Sequence, residues 1–207
     1  MSKAKVVLTD YVWESLDVEE EILGNLANLV PLQVTDPEAF FPEAENCEAL
    51  LNTYGGPITA DIMARMPNCK IIARYGIGVD TIDLAAATEA GIIVTNNPTY
   101  CIEEVAEHTL AMLLTCARKI AFYDRLVRKG EWAVPPGKPM FRLAGSTIGL
   151  IGFGNIARRV ARGAASLDMR VLYSDPFVEA GQFDVSGEKV ELEDLLKESD
   201  YLCVHAP

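Results

Sequence analysis

Short apolar runs recur through the first hundred positions: KVVL (5–8), LQV (32–34), ALLNT (49–53), KIIARY (70–75) and GIIVT (91–95). Runs this short, bounded by polar residues, suit strands buried on both faces of a parallel sheet. The spacing predicts helices between them near 18–27, 59–65 and 84–90. Asp83 stands where the last of these needs an N-cap, and Gly91 where it needs a stop. Alternating strands and helices predict an open α/β sheet.

The pattern changes after NNP (96–98). Residues 101–117, CIEEVAEHTLAMLLTCA, carry the strongest helical periodicity in the chain. Ile102, Val105, Ala106, Leu110, Leu113, Leu114 and Ala117 fall on one apolar stripe. A second helix is predicted over 119–129, ended by Gly130, and the prolines of WAVPPGKP (132–139) mark a loop. A new α/β unit follows: strand 146–152, helix 154–167, strand 169–174, helix 192–199 and strand 201–205. The order β-α-β-α-β is that of one mononucleotide-binding half of a doubly wound fold.

Half the residues are hydrophobic, which reads as a globular chain with a real core. No apolar run approaches the roughly 18–20 residues that span a bilayer, and the first residues lack the apolar core of a signal peptide. The net charge of −12 is uneven. Residues 1–97 hold 15 acids and 5 bases, for −10, and the rest 15 acids and 13 bases, for −2. No basic stripe is present to neutralise phosphates, which argues against direct nucleic-acid binding. Cys47, Cys69, Cys101, Cys116 and Cys203 are odd in number and widely spaced, with no C-x-x-C pair. Neither a zinc site nor a disulfide framework is expected, and reduced thiols in a cytoplasmic protein are the simplest account.

Candidate chemistry centres on GLIGFGNIA (149–157). Gly152-Phe153-Gly154-Asn155-Ile156-Ala157 matches G-x-G-x-x-G/A between a strand and a helix. Gly152 permits the tight turn, Gly154 lets a pyrophosphate approach the backbone, and Ala157 allows close helix–strand packing. Asp175 ends the next strand, 23 residues after Gly152. A carboxylate there accepts from ribose hydroxyls and repels a 2′-phosphate, which favours NAD over NADP. Arg158 and Arg159 are read as an exposed helical face. No Tyr-x-x-x-Lys, P-loop or G-x-S-x-G motif points to other α/β enzymes.

Five blocks occur in order: ARYGIGVDTIDL (73–84), GIIVTNNP (91–98), VAEHTLAMLL (105–114), TIGLIGFGNIA (147–157) and YSDP (173–176). Together they resemble the D-isomer-specific 2-hydroxyacid dehydrogenases. CIEEVAEHTL and IIARYGIG are most similar to the branch containing the C-terminal binding protein corepressors. The resemblance implies a flavodoxin-like parallel-sheet substrate domain over 1–97. An incomplete Rossmann dinucleotide-binding domain would follow over 98–207, truncated after its third strand. In relatives the helix at 101–117 also helps build a homodimer, and the substrate lies in a cleft between domains.

By the same resemblance a small 2-hydroxy or 2-keto acid meets the backbone of Gly76, Ile77 and Gly78, with Arg74 and Tyr54 nearby. A guanidinium suits a carboxylate because it binds it bidentately. NAD is assigned to Gly152, Gly154, Asn155, Ile156, Asp175 and Val105, with His205, Ala206 and Pro207 on the adenine side. The family's catalytic arginine, glutamate and histidine all lie beyond the strand matched by 201–205. No catalytic residue is therefore expected within this chain, and the chain alone is expected to be inactive. The alternative reading is an NAD(H)-sensing, corepressor-like scaffold. Glycerate, phosphoglycerate, lactate and larger acids all stay open as substrates.

Overall fold

The structure, a computed structural model, describes residues 3–206. It divides into two compact units that meet in sequence between Tyr100 and Cys101.

In the first unit, β1 (Ala4–Leu8), β2 (Ala27–Pro31), β3 (Ala49–Asn52), β4 (Ile71–Arg74) and β5 (Ile93–Thr95) form a parallel sheet in the order β2-β1-β3-β4-β5. That is the flavodoxin-like order, whose direction of growth reverses between β1 and β3. The helices are α1 (Asp17–Leu23), α2 (Pro37–Ala44), α3 (Ala60–Ala64) and α4 (Leu84–Glu89). Val7, Leu50 and Ile72 of the central strands are fully buried with Phe40, Ile58 and Met66. Asp83 caps α4 by accepting from the Ala86 N–H at 3.0 Å, and Gly91 turns the chain away with φ +70°.

Two expectations change here. The second strand is ANLVP and not LQV (32–34), because α1 stops at Leu23 and frees the next residues for the sheet. Pro31 is tolerated because β2 is an edge strand with one neighbour. Helix α2 was not expected from the sequence. Asp36 caps it, accepting from the Glu38 N–H at 3.0 Å, and Pro37 opens it.

The second unit begins with α5 (Ile102–Arg118) and α6 (Ile120–Arg128), followed by a 3-10 turn at Pro135–Gly137. Then come β6 (Thr147–Ile151), α7 (Asn155–Ala165), β7 (Arg170–Ser174), β8 (Glu188–Lys189), α8 (Leu192–Glu198) and β9 (Tyr201–Val204). Ala106, Leu113 and Ala117 of α5 pack with Val160, Ala161 and Ala164 of α7 over Ile148 and Leu150 of β6. On the opposite face of β6, Gly149 lies under α8. A Cβ there would stand 2.8 Å from Leu195 Cδ2 and 2.1 Å from Ser199 Oγ.

The strand count also changes. The sequence reading has three strands in this unit, whereas the sheet has four, all parallel, in the order β8-β7-β6-β9. β8 is only two residues long and carries no apolar run, so nothing in its hydropathy announces it. Residues 201–204 pair with the free side of β6, as the fourth strand of a 3-2-1-4 order. The sheet therefore extends past one mononucleotide-binding half and includes the point where strand order reverses.

Candidate functional site

Ligands of open α/β sheets bind beyond the carboxyl ends of the strands, where the order reverses. In the second unit that point lies between β6 and β9. Gly152 leaves β6 with φ +85°, and a Cβ on it would stand 2.9 Å from the His205 backbone carbonyl. Glycine is required there twice over, for the turn and for the close passage of the chain after β9. Gly154 differs. Its φ of −70° suits any residue, and a Cβ would meet no protein atom within 4 Å. Protein packing gives no reason for glycine at 154, whereas a ligand resting on the backbone does. Ala157 is fully buried against the sheet.

Helix α7 starts at this loop with Gly154 as N-cap and no side-chain cap. Its first N–H groups and the positive end of its dipole face outward at exposed Gly154 and Asn155. Three contacts hold the loop. Phe153 is buried and stacks on Tyr173 with centroids 3.8 Å apart. The Phe153 N–H donates to Asp175 Oδ2 at 2.7 Å. The Arg158 guanidinium donates to the Phe153 carbonyl at 3.3 Å and to the Asn155 side chain. Arg158 also lies over the Phe183 ring at 3.7 Å. The expected exposed arginine face thus gives way, at 158, to a clamp on the glycine loop. Arg159 pairs with Glu103 of α5.

Asp175 Oδ1 accepts from the Phe177 N–H at 2.8 Å. Burial pushes its carboxyl up, but the N–H donors of Phe153 and Phe177 outweigh this and hold it below the usual carboxylate range. It is a fixed anion with lone pairs to spare. His205 is half-buried, and its Nε2 has no partner among the described residues. Burial holds its imidazole below the ordinary histidine range, so near neutral pH it is an uncharged donor or acceptor. Exposed Ala206 follows it, and Pro207 lies outside the described residues. Val105 is not on the buried side of α5: it is 38% exposed, while Ala106 beside it is buried. The turn, Asp175 and His205 come together at one end of one sheet.

In the first unit Arg74 ends β4 and its side chain folds back over the next turn. Its Nη1 donates to the Tyr75 carbonyl at 2.8 Å, and a Cβ on Gly76 would stand 2.5 Å from that nitrogen. The guanidinium lies 6.0 Å from the centroid of the Tyr54 ring, and its buried Nε has no partner among the described residues. Arg74, Tyr54 and Gly76 are therefore neighbours, as expected. The Gly76 N–H is already given to the Arg74 carbonyl at 3.0 Å. Ile77 and Gly78 are exposed, and their N–H groups have no acceptor among the described residues. The Ile77 carbonyl is anchored by Asn96 Nδ2 at 2.8 Å, and the Gly76 carbonyl by the Asn97 N–H at 2.9 Å.

Two supports, one of the loop after β3 and one of the loop after β4, were missed in the sequence. Asp10, buried at the end of β1, accepts from the N–H groups of Thr53 (3.2 Å), Tyr54 (2.7 Å) and Gly55 (3.0 Å). It also accepts from the Thr9 hydroxyl at 2.7 Å. Glu19 accepts from the Tyr75 hydroxyl at 2.9 Å, under a Trp13 ring 4.8 Å from that of Tyr75. Burial, reinforced by Glu19, pushes the Tyr75 hydroxyl well above the usual tyrosine range. An acid directly after an apolar strand, as in VVLTD, was the available signal for Asp10. Among the described residues no group of His, Cys, Asp and Glu is arranged to hold a metal ion.

Comparison with known proteins finds relatives along most of the chain. The family described as D-isomer specific 2-hydroxyacid dehydrogenase, catalytic domain, matches residues 6–193. A hydroxypyruvate reductase of Thermotoga maritima is 42% identical over 194 residues, covering 92% of this chain and 62% of that protein. A glyoxylate reductase of Korarchaeum cryptofilum is 39% identical over 168 residues, covering 79% of this chain and 50% of its own length. Among solved structures, a D-lactate dehydrogenase from Aquifex aeolicus, complexed with NAD and lactic acid, superposes with a TM-score of 0.89 at 30% identity. That match covers 98% of this chain and 60% of the other. The chain thus spans between half and about three-fifths of the length of these relatives.

Proposed function

Since this chain belongs to the D-isomer specific 2-hydroxyacid dehydrogenase family, a family of oxidoreductases, we propose that it binds NAD at the turn from Gly152 to Ile156. We assign the carboxylate of a small 2-hydroxy or 2-keto acid to the loop from Arg74 to Gly78. The observation that carries the first assignment is the uncapped N-terminus of α7 beside an open Gly154 and a fixed anion at Asp175. The residues fit such a cofactor. The N–H groups of Asn155 and Ile156 suit a pyrophosphate, Asp175 suits ribose hydroxyls, and the orphaned His205 Nε2 suits a polar group of the adenosine half. For the acid, the N–H groups of Ile77 and Gly78 make an anion-binding concavity, and Arg74 supplies the charge.

When bound, the nicotinamide supplies hydride transfer to or from the acid. The chain's own residues hold and orient the two ligands. The cation that polarises the keto group and the proton donor for the new hydroxyl are assigned outside these 207 residues, so the chain alone is expected to bind and not to turn over. A homodimer of the whole protein fits the exposed apolar residues Met112, Ile120, Val127 and Trp132 on and after α5 and α6. A reducing, cytoplasmic setting fits five free cysteines.

Calorimetric titration with NADH, and with oxalate as a non-reacting acid, tests this reading. Wild type should bind both. Asp175→Asn keeps an acceptor for the Phe153 N–H and should weaken NADH alone. Arg74→Ala should weaken oxalate alone, by about 10- to 100-fold for a lost charged hydrogen bond. NADH binding that is absent, or indifferent to Asp175, would overturn the cofactor assignment. Keto-acid reduction above a buffer blank would overturn the placement of the proton donor.

A further inference from the structure

At the end of the first sheet remote from the Arg74 loop, two thiols enter the core side by side. Cys47 stands two residues ahead of the start of β3 and Cys69 two residues ahead of the start of β4. The strands pair with Ala49 opposite Ile71, and the ladder continues backward through the Lys70 N–H to the Glu48 carbonyl at 2.9 Å. One more step places Cys47 opposite Cys69. Adjacent strands run about 4.7–4.9 Å apart, inside the roughly 4.4–6.8 Å range of Cα separations that a disulfide bridges. Each cysteine stands two residues before a paired residue, so both side chains leave the sheet on one face, into one core cluster.

The two thiols are not equivalent. Cys47 is fully buried, whereas Cys69 is 7% exposed and borders a surface depression with Asn68, Lys70 and Gly91. The Cys47 S–H is held against the Cys69 sulfur. That contact, with burial, pushes the Cys47 thiol up; the same contact draws the Cys69 thiol down, against its own burial. The Cys69 S–H also donates to the Ile71 carbonyl at 3.5 Å. Both thiols are buried, but only Cys69 borders the surface depression, which suits it to attack and Cys47 to resolve.

We propose that Cys47 and Cys69 form a redox site, oxidised by peroxide to a disulfide joining the starts of β3 and β4. The Cys69 thiolate attacks one peroxide oxygen; an S–O bond forms, the O–O bond breaks, and the departing oxygen leaves as water. The Cys47 sulfur then attacks the Cys69 sulfenic sulfur; an S–S bond forms, the S–O bond breaks, and a second water leaves. Two thiols lose two electrons and both protons, and one peroxide becomes two waters.

The test treats the whole folded chain with stoichiometric hydrogen peroxide, then alkylates the remaining thiols in denaturant. Mass spectrometry of an unreduced digest should show the peptide Met66–Lys70 joined to the peptide carrying Cys47, with a mass about 2 Da below the sum of the two. Two alkylatable thiols should be lost. In Cys47→Ala, dimedone should trap a sulfenic acid on Cys69. In Cys69→Ala, Cys47 should take up no dimedone. The proposal is overturned if the joined peptide is absent while exposed Cys116 is oxidised, or if it forms only after unfolding. A dimedone adduct on Cys47 in Cys69→Ala would overturn it as well.

Discussion

Two glycines in one motif do different jobs. Gly152 serves the protein, because its φ of +85° and its approach to the His205 backbone leave no room for a side chain. Gly154 is not required by the protein's own packing, and the cofactor proposed above gives it its role. Gly152→Ala should therefore destabilise the fold by about 1–3 kcal/mol, the cost of a non-glycine residue held at such a backbone position. Gly154→Ala should cost under about 1 kcal/mol, the difference between glycine and alanine at an N-cap, and yet weaken NADH strongly. Urea melts and NADH titrations on the two variants check this; equal loss of stability would remove the distinction. Arg158 carries a related point. Its position on a helical face suggested solvent, but Phe183 and the Phe153 carbonyl reach it from elsewhere in the chain. One partner distant in sequence, Phe183, is enough to defeat an assignment made from periodicity alone.

Among the elements, β6 shows how tightly the second sheet is built. Ile148 and Leu150 face α7, and Gly149 between them admits α8. Gly149→Ala should cost about 1–3 kcal/mol through overpacking against Leu195 and Ser199. A thermal melt decides, and an unchanged Tm would mean that α8 moves aside freely. The elements readable in the sequence were those whose signals are local. The Asp83 cap, the Gly91 stop, the α5 stripe and the glycine turn each depend on a few neighbouring residues. The unread ones depend on distant pairing. β8 is a strand because Leu172 and Tyr173 lie beside it and Arg170 bonds Glu188 at 2.8 Å. α2 is the exception, a local case: its Asp-Pro start is readable, but Pro42 inside it brings no N–H to the Glu38 carbonyl. Asp10, like β8, depends on pairing: it is a site residue only because β1 and β3 are adjacent.

Across the whole molecule, charge works against the ligands proposed for it. The chain carries −12, with −10 of it in residues 1–97, while NADH and keto acids are anions. The local N–H groups and Arg74 attract at contact; the surrounding field repels at range and is screened beyond about 10 Å at 0.1 M salt. The association rate of NADH should therefore rise with ionic strength, by about two- to fivefold between roughly 10 and 150 mM salt, as long-range steering of the wrong sign is removed. Stopped-flow fluorescence measures it, and a rate that falls with salt would mean that the local field dominates at distance. The reversal of strand order recurs in both units. In the second, the space in front of Gly154 is open. In the first, the corresponding gap between β1 and β3 holds the Asp10 carboxylate, which takes the N–H groups of Thr53, Tyr54 and Gly55. The first unit has in effect swallowed its own anion: a stopper made of chain sits in the cradle, and the acid proposed above is assigned one strand along, to the loop after β4.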